Sequence, residues 1–513
     1  MAKKLARALS AFCLIPLASA VSAASLPDYQ TNSDWFTQAS DRLEQRASLS
    51  REAKTAKNVI LFVGDGMGIA TLTAARIFEG QRRGQTGEEN SLSFEEFPHS
   101  ALIKTYNTDQ QTPDSAGTMT AMMTGVKTRA GMINVDGQAL KGDCAASQDL
   151  GLNSFLEMME SRGKATGIVS TARLTHATPA ATYAKSPNRK WEAEADEGCT
   201  DIATQMVEMG IGDGMEVMLG GGRDFFTPVA DGGLREDERN LTGEWLLRYE
   251  GEQSAVYVEN GFELAAVDIA NTDKLMGLFT GDHMSYDADR IAKNSEEPGI
   301  VEMTTTAIDV LQKDEDGFFL MVESGRVDHA HHSGNAYNAL NEAIELSDAV
   351  KAALQKVDLE ETLILVTADH SHVMNMAGYP TRGNPILGKV IGNDDSGAPN
   401  ETVSLAEDNK PYTTLTYTNG RGFAYVDSGE NTDADKRDDY DIAAGRHDLT
   451  GVDTEKPGFH QESLVALGGE SHGGEDISLH AIGAGAEKVQ GHLEQSAVFH
   501  IMTAATDLSL SEE

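Results

Sequence analysis

Three apolar segments, each running into an acidic residue, constrain the fold of this chain more than any other feature of its sequence. Residues 59–63, 318–322 and 363–368 are continuous apolar runs, as expected for parallel strands that are covered on both faces. The stretches between them include segments with helical spacing, such as residues 335–357. This alternation predicts an α/β fold with a central, mostly parallel sheet.

The acidic residues that follow these segments are Asp65, Glu323 and Asp369. In open α/β sheets, ligands bind beyond the carboxyl ends of the strands. We therefore expect the three acids to converge in one crevice at that edge of the sheet.

Composition divides the 513-residue chain into several parts. A polar arm with an amphipathic helix around residues 35–49 precedes the first strand. Residues 373–468 are rich in Gly, Asn, Asp and Thr, with short β-like pieces at 412–417 and 422–426, which predicts an inserted lobe. A strand and a helix around residues 495–505 close the chain. The predicted parts are a signal peptide (1–23), an N-terminal arm (24–56), a main α/β domain (57–372), the inserted lobe (373–468) and a return to the main domain (469–513).

The first residues have the pattern of an export signal. Basic residues precede an apolar run at 8–20, and small residues at 21–23 form a cleavage site before Ala24. An uncleaved membrane anchor is the alternative, but the run is shorter than the roughly 20 residues that a bilayer requires. We expect an exported protein, periplasmic or secreted, with no membrane segment after the signal is removed.

The chain is strongly acidic, with 41 Lys and Arg against 81 Asp and Glu and a formal net charge of -40. Such a surface repels phosphate backbones and anionic lipid, which argues against nucleic-acid and membrane-surface binding. The acid excess is typical of a salt-adapted protein from a halophilic bacterium, and equally of simple solubility. The acidic run at 433–441 is interpreted as a solvated loop.

Cysteine usage agrees with export. Of three cysteines, Cys13 leaves with the signal, so that Cys144 and Cys199 remain as an even pair in an oxidising compartment. The pair favours a disulfide, and two buried free thiols are the alternative.

Several residues have the chemistry and spacing of zinc ligands. Asp328 and His332 lie four apart and share one face of a helical turn, Asp369 and His370 sit at a strand end, and His472 lies in a glycine-rich stretch. Mixed carboxylate and imidazole ligands suit zinc. Any one of these histidines taken alone is more simply a core or surface residue, and the argument depends on their number.

An all-oxygen set is also present. Asp65, Thr178 and Glu323 offer the carboxylate and hydroxyl oxygens that suit magnesium.

Ser115 is the candidate nucleophile. It follows Pro113 and Asp114 and precedes a run of small residues, which indicates the start of a helix. Free backbone N–H groups and the positive end of the helix dipole favour a phosphate there. A neighbouring zinc ion would activate the hydroxyl, whereas an ordinary helix-capping serine is the alternative.

These residues resemble the alkaline phosphatase family. The resemblance covers nearly all of the mature chain in order, and the segment 170–179 together with the two cysteines is closer to the animal branch than to the enterobacterial one. The motifs that carry it are Asp114-Ser115-Ala116, Gly64-Asp65-Gly66, Glu323 with Asp328 and His332, Thr367-Ala368-Asp369-His370-Ser371-His372, and His472.

The resemblance implies a homodimeric phosphomonoesterase with a three-layer α/β sandwich, a crown-like inserted lobe, two Zn²⁺ and one Mg²⁺ per subunit, and small phosphate monoesters as substrates. Arg189 matches the arginine that clamps two phosphate oxygens, a task that suits a guanidinium fork. The implied ligands are Asp328, His332 and His472 for the first zinc, Asp65, Asp369 and His370 with Ser115 for the second, and Asp65, Thr178 and Glu323 for magnesium.

Some positions depart from the enterobacterial pattern. His176 and His329 replace an aspartate and a lysine, which implies that both support the metal site from outside the ligand set, as Asp114 does. Thr280 stands where animal relatives carry a glutamate of a calcium site, so we expect no calcium there.

Two other functions remain open from the sequence. One is a phosphodiesterase or sulfatase with the same metal core, and the other is an exported metal- or phosphate-binding protein without turnover.

Overall fold

The computed structural model describes residues 26–47, 54–251, 254–423 and 445–508. The predicted signal peptide and the acidic run at 433–441 lie outside the described residues. The strands are β1 (Asn58–Gly64), β2 (His99–Lys104), β3 (Ala165–Arg173), β4 (Val217–Gly221), β5 (Ala255–Val258), β6 (Lys274–Leu278), β7 (Phe318–Ser324), β8 (Thr362–Ala368), β9 (Ser371–His372), β10 (Met374–Met376), β11 (Leu415–Gly420), β12 (Ser463–Ala466), β13 (His472–Gly473), β14 (Ile477–Gly483) and β15 (Gly491–Glu494).

Ten of these strands form one sheet in the order β15-β2-β14-β8-β1-β7-β3-β4-β6-β5. From β8 to β5 all neighbours are parallel, whereas β14 runs antiparallel to both β8 and β2. The predicted α/β fold with a mostly parallel central sheet is confirmed.

Helices cover both faces of this sheet. They are α1 (Asp28–Thr31), α2 (Asp34–Ala47), α3 (Ile69–Arg82), α4 (Ser115–Thr124), α5 (Cys144–Ser147), α6 (Phe155–Glu160), α7 (Ala177–Ala180), α8 (Ile202–Val207), α9 (Leu241–Arg248), α10 (Gly261–Ala265), α11 (Asp287–Ala292), α12 (Ile300–Leu311), α13 (Arg326–His332), α14 (Ala336–Leu354) and α15 (Ala497–Ala505). One group, α3 and α12 to α14, packs together, and a second group contains α2, α4, α7 and α15. Because both faces are covered, every residue of β7 and β8 is buried. That burial explains the unbroken apolar runs in the sequence.

The inserted segment carries a separate three-stranded sheet in the order β10-β11-β12. The predicted strand at 412–417 is shifted, since β11 spans Leu415–Gly420. The strand predicted at 422–426 is wrong over its described part, because Arg421–Phe423 forms a 3₁₀ turn. The reason is a contact with a distant segment: the backbone of residue 422 packs so closely against Gln461 that a Cβ there would lie 1.6 Å from the Gln461 carbonyl oxygen. The division into domains stays a prediction.

The predicted disulfide is confirmed, with Cys144 and Cys199 bonded at a Cα–Cα distance of 5.6 Å. Among the described residues, no helix is long and apolar enough to cross a membrane.

Candidate active site and metal centre

The three strand-end acids meet at the carboxyl edge of the sheet, as the sequence predicts. Strand β1 lies between β7 and β8, and its last residue, Gly64, is in register with Ser324 and Ala368. The acids that belong to these strand ends, Asp65, Glu323 and Asp369, are therefore close neighbours, and all three are fully buried.

One group of side chains surrounds Asp328. Its Oδ1 atom lies 3.3 Å from Nε2 of His332 and 3.2 Å from Nε2 of His472, and these two nitrogens are 3.1 Å apart. His372 also contacts Asp328, with its Nε2 at 2.8 Å from the same oxygen. The four side chains have ligand atoms close enough to hold one metal ion.

A second group contains Asp65, Asp369 and His370, whose ligand atoms also lie within 4.8 Å of one another. Nε2 of His370 is 3.3 Å from Asp65 Oδ1 and 3.4 Å from Asp369 Oδ2. Ser115 is part of this group, because its Oγ lies 3.1 Å from His370 Nε2 and 3.4 Å from Asp65 Oδ1. The hydroxyl is thus placed beside residues that could hold a cation.

Within the part of the chain that the structure describes, the side chains of Asp65, Thr178 and Glu323 each have a buried oxygen atom without a partner. Asp65 Oδ2, Thr178 Oγ1 and Glu323 Oε1 are buried and have no hydrogen-bond partner among the described residues. Unpaired buried oxygens are costly. Asp65 and Glu323 have ligand atoms within 4.8 Å of each other, so a cation between them would satisfy these carboxylates. The residues therefore fit a magnesium ion.

The electrostatics of the crevice also favour cations. Burial, together with repulsion from Asp369, Asp328 and Glu323, raises the pKa of Asp65 well above its ordinary value. Burial likewise raises the pKa of Glu323 to about 8 and that of Asp369 above its usual range. Carboxylates packed this closely repel one another unless a positive ion lies between them.

The pKa of Asp328 is lowered, in contrast to those of the three strand-end acids. Burial opposes its charged form, but the imidazoles of His332, His372 and His472 hold its pKa well below the usual range. For His372, burial opposes the charged ring, whereas the carboxylates of Glu470 and Asp328 raise its pKa to about 10.

Three imidazoles have their Nδ1 atoms against main-chain oxygens. His472 Nδ1 lies 2.8 Å from the carbonyl oxygen of Pro113, His332 Nδ1 lies 2.6 Å from that of Glu470, and His370 Nδ1 lies 3.3 Å from that of Ser371. A carbonyl only accepts, so each Nδ1 carries the proton and each Nε2 keeps its lone pair. The Nε2 atoms are those that face the carboxylates.

Helix α4 places Ser115 at its first turn. The side chain of Asp114 caps the helix by accepting a hydrogen bond from the N–H of Gly117 at 3.2 Å. Asp114 Oδ2 also accepts from Arg189 Nη1 at 3.1 Å. The other terminal nitrogen of Arg189, Nη2, lies 2.9 Å from His176 Nε2. The guanidinium is thus held beside the nucleophile segment.

His176 and His329 come together with a third histidine, His283, which no sequence pattern places near them. The rings of His283 and His329 are 4.1 Å apart, and burial lowers the pKa of all three imidazoles well below its ordinary value. Both ring nitrogens of His283 lie against Arg173, at 3.2 Å from its main-chain N and 2.7 Å from Nη1. This cluster therefore flanks the oxygen set with neutral rings and an arginine.

Two buried residues of the Asp328 group were missed as site residues. His372 follows His370 by two, which on an extended strand is a sequence signal for the same side. Glu470 precedes His472 by two and contacts two imidazoles. No local pattern pairs it with them.

The Ser115 hydroxyl lies beside buried carboxylates and imidazoles that could hold divalent cations, and Arg189 lies close to it. This arrangement is typical of a metal-dependent hydrolase of phosphate esters. The chain belongs to the alkaline phosphatase family, since the family model "Alkaline phosphatase" matches residues 56–508. The chain is therefore a phosphomonoesterase. Its family membership favours this activity over the two other functions that the sequence leaves open.

Individual relatives agree with this membership. The chain is 39% identical to the tissue-nonspecific alkaline phosphatase of Gallus gallus over 97% of this chain and 94% of that protein. The alkaline phosphatase of Thermus thermophilus has the same fold, with a TM-score of 0.64 and 24% identity over 95% and 96% of the two chains. A mutant of TAB5 alkaline phosphatase with Mg bound in its M3 site has a TM-score of 0.60 and 22% identity, over 89% and 100%.

Proposed function

We propose that the enzyme hydrolyses phosphate monoesters in two steps through a phosphoserine on Ser115, with two zinc ions and one magnesium ion per subunit. The observation that carries the proposal is the position of Ser115 Oγ, 3.1 Å from His370 Nε2 at the first turn of α4.

The assignment of ions follows the chemistry of the donors. The carboxylate and imidazole sets suit zinc, and the oxygen set suits magnesium. When bound, such ions lower the pKa of a coordinated hydroxyl or water and stabilise charge on the transferring phosphoryl group. We assign Asp328, His332 and His472 to one zinc, Asp65, Asp369 and His370 to the other, and Asp65, Thr178 and Glu323 to magnesium.

The protein's own side chains carry out nucleophilic attack and bind the phosphate. Ser115 Oγ gives its proton to solvent and attacks phosphorus, and the ester oxygen leaves with the electron pair of the broken P–O bond and takes a proton from water to become the alcohol. A water molecule then attacks the phosphoserine and loses a proton to solvent, the P–O bond to Ser115 breaks, Ser115 Oγ takes up a proton again, and inorganic phosphate leaves. Arg189 binds two phosphate oxygens with its fork, and Asp114 orients that fork.

Replacing the nucleophile tests the scheme. The change Ser115→Ala should abolish the covalent step and lower kcat on an aryl phosphate by several orders of magnitude, with metal content unchanged. Acid quenching with labelled phosphate, followed by peptide mass spectrometry, should show phosphate on Ser115 only in the unsubstituted enzyme. Ser396→Ala makes the same chemical change at an exposed serine that bonds only within its own loop, to Asp394, and is the control. Full turnover by the metal-loaded Ser115→Ala protein would refute the proposal.

We further propose that the enzyme is an exported homodimer with an inserted crown-like lobe. The disulfide supports an oxidising compartment. Exposed apolar side chains on the lobe, such as Leu464 and Tyr379, are consistent with a covered surface. Analytical ultracentrifugation tests the dimer, and fractionation of the producing cells tests export.

A further inference from the structure

We infer that Glu470 is a positioning residue whose carboxylate holds the imidazole of His372 against Asp328 and thereby sets the zinc affinity of that site. The inference rests on the zinc assignment proposed above and adds a residue that touches no reacting atom.

Glu470 contacts the Nδ1 atoms of both rings, those of His332 and His372, on the side away from Asp328. Its Oε2 atom lies 2.6 Å from His372 Nδ1, and its main-chain carbonyl oxygen lies 2.6 Å from His332 Nδ1. Its own N–H donates to the carbonyl oxygen of His332 at 2.9 Å. The side chain of Glu470 therefore orients His372, whereas its main-chain carbonyl, which a side-chain substitution leaves in place, orients His332.

Both carboxylate oxygens of Glu470 accept hydrogen bonds. Oε1 accepts a hydrogen bond from the main-chain N–H of Val373 at 2.7 Å, and the side chain is completely buried. A carboxylate has only acceptors, which matches the two donors that face it. A glutamine could accept only one of the two hydrogen bonds, because its amide nitrogen would face the second donor.

The inserted segment packs against Glu470. A Cβ at Gly420, the last residue of β11, would lie 3.1 Å from Glu470 Cβ, and Gly420 has a φ of 132° that favours glycine. Next to Glu470, the N–H of Ser471 donates to Asn419 Oδ1 at 3.0 Å. The short pairing of β13 with β9 then places His472 opposite His372. Strand β11 thus packs against the backbone that carries the Glu470 carboxylate.

A matched control lies five residues along the chain. Glu475 Oε1 accepts a hydrogen bond from Ser371 Oγ at 2.6 Å, so it contacts the residue next to His372 but none of the Asp328 group. Glu475→Gln makes the same chemical change at a neighbouring place.

The experiment measures zinc bound per chain in buffers of defined free Zn²⁺, with Mg²⁺ constant, for the unsubstituted enzyme, Glu470→Gln, Glu475→Gln and Glu470→Asp. We expect Glu470→Gln to bind one of its two zinc ions 10- to 100-fold more weakly, as is typical when an outer partner of a ligand is lost. The other zinc, and both zincs of Glu475→Gln, should keep their affinity. With Co²⁺ in place of zinc, the visible spectrum of Glu470→Gln should change and that of Glu475→Gln should not.

Unchanged affinity of both zincs in Glu470→Gln would overturn the inference, as would equal weakening of both, which indicates general destabilisation. If Glu470→Gln does not fold, Glu470→Asp decides. Its shorter carboxylate cannot reach both donors, so one zinc should again be weakened, and unchanged binding overturns the inference. If the unsubstituted enzyme itself binds fewer than two zinc ions, the proposed function fails instead, which is a separate result.

Discussion

At the scale of the residue, the site depends on donors and acceptors that are held in one orientation. Arg189 is the clearest case, because Asp114 binds one of its terminal nitrogens and His176 lies against the other. A planar fork fixed in this way can present two parallel N–H donors to a phosphate, whereas a lysine offers a single point charge.

Arg189→Lys should therefore weaken phosphate binding rather than abolish catalysis. Loss of one charged hydrogen bond, worth about 1.5–3 kcal/mol, predicts at least a tenfold rise in the inhibition constant of inorganic phosphate. The measurement is competitive inhibition of aryl phosphate hydrolysis. The neighbouring, exposed Lys190 serves as control through Lys190→Met. An inhibition constant that does not change in Arg189→Lys would contradict the clamp role.

At the scale of the element, the end of the sheet opposite the site contains a buried acidic pair. Thr166, near the start of β3, donates its hydroxyl to Glu160 and its main-chain N–H to Glu216, the latter at 2.6 Å. The Nζ atom of Lys274 donates a hydrogen bond to Glu216 Oε1 at 2.6 Å, and its positive charge neutralises part of the negative charge of this pair. Burial and mutual repulsion raise the pKa of Glu160 to about 8, and burial raises that of Glu216 to about 7.

This pair makes stability dependent on pH. A carboxyl group whose pKa is raised in the folded state stabilises the fold fully below its unfolded pKa, near 4.3, and loses that contribution as pH rises to about 8. Glu160→Gln removes the titrating group, so its free energy of unfolding should fall less between pH 5 and pH 8 than that of the parent. The limit for one group is about 1.4 kcal/mol per pH unit.

Urea unfolding at pH 5, 6.5 and 8 measures this difference. Exposed Glu197, changed to Gln, is the control and should follow the parent at every pH. Parallel pH dependence of Glu160→Gln and the parent would show that the pair does not titrate in this range.

At the scale of the whole molecule, the net charge of -40 dominates. Like charges spread over one fold repel one another and destabilise the compact state, and dissolved salt screens this repulsion over a distance of about 10 Å at 0.1 M and 3 Å at 1 M. A chain with this excess of acids is thus expected to tolerate salt.

Activity and refolding yield should persist or rise between 0.1 and 2 M NaCl. Recovery of activity after dilution from urea measures refolding directly. Sucrose of matched osmolality is the control, because it favours compact states without screening charge. A steady loss of activity and yield with added NaCl would remove the support for salt adaptation.

The sequence alone was sufficient for the parts of this protein that depend on local pattern. Unbroken apolar runs marked β1, β7 and β8 because burial on both faces demands them, and the acids beyond the runs then had to converge. The helix start at Ser115 followed from the capping chemistry of Asp114. The strand predicted at 422–426 failed because the turn there is set by contact with a distant segment.

Tertiary structure decided which outer residues support these groups. Glu470 lies 98 positions from His372 and 138 from His332. His283 contacts His329 although two helices, α11 and α12, and strand β7 lie between them in the sequence. No periodicity or capping rule acts over such separations. The contact of Glu470 with His372 forms where the chain returns through β13 and pairs with β9, which places distant hydrogen-bond donors and acceptors against each other in a buried space.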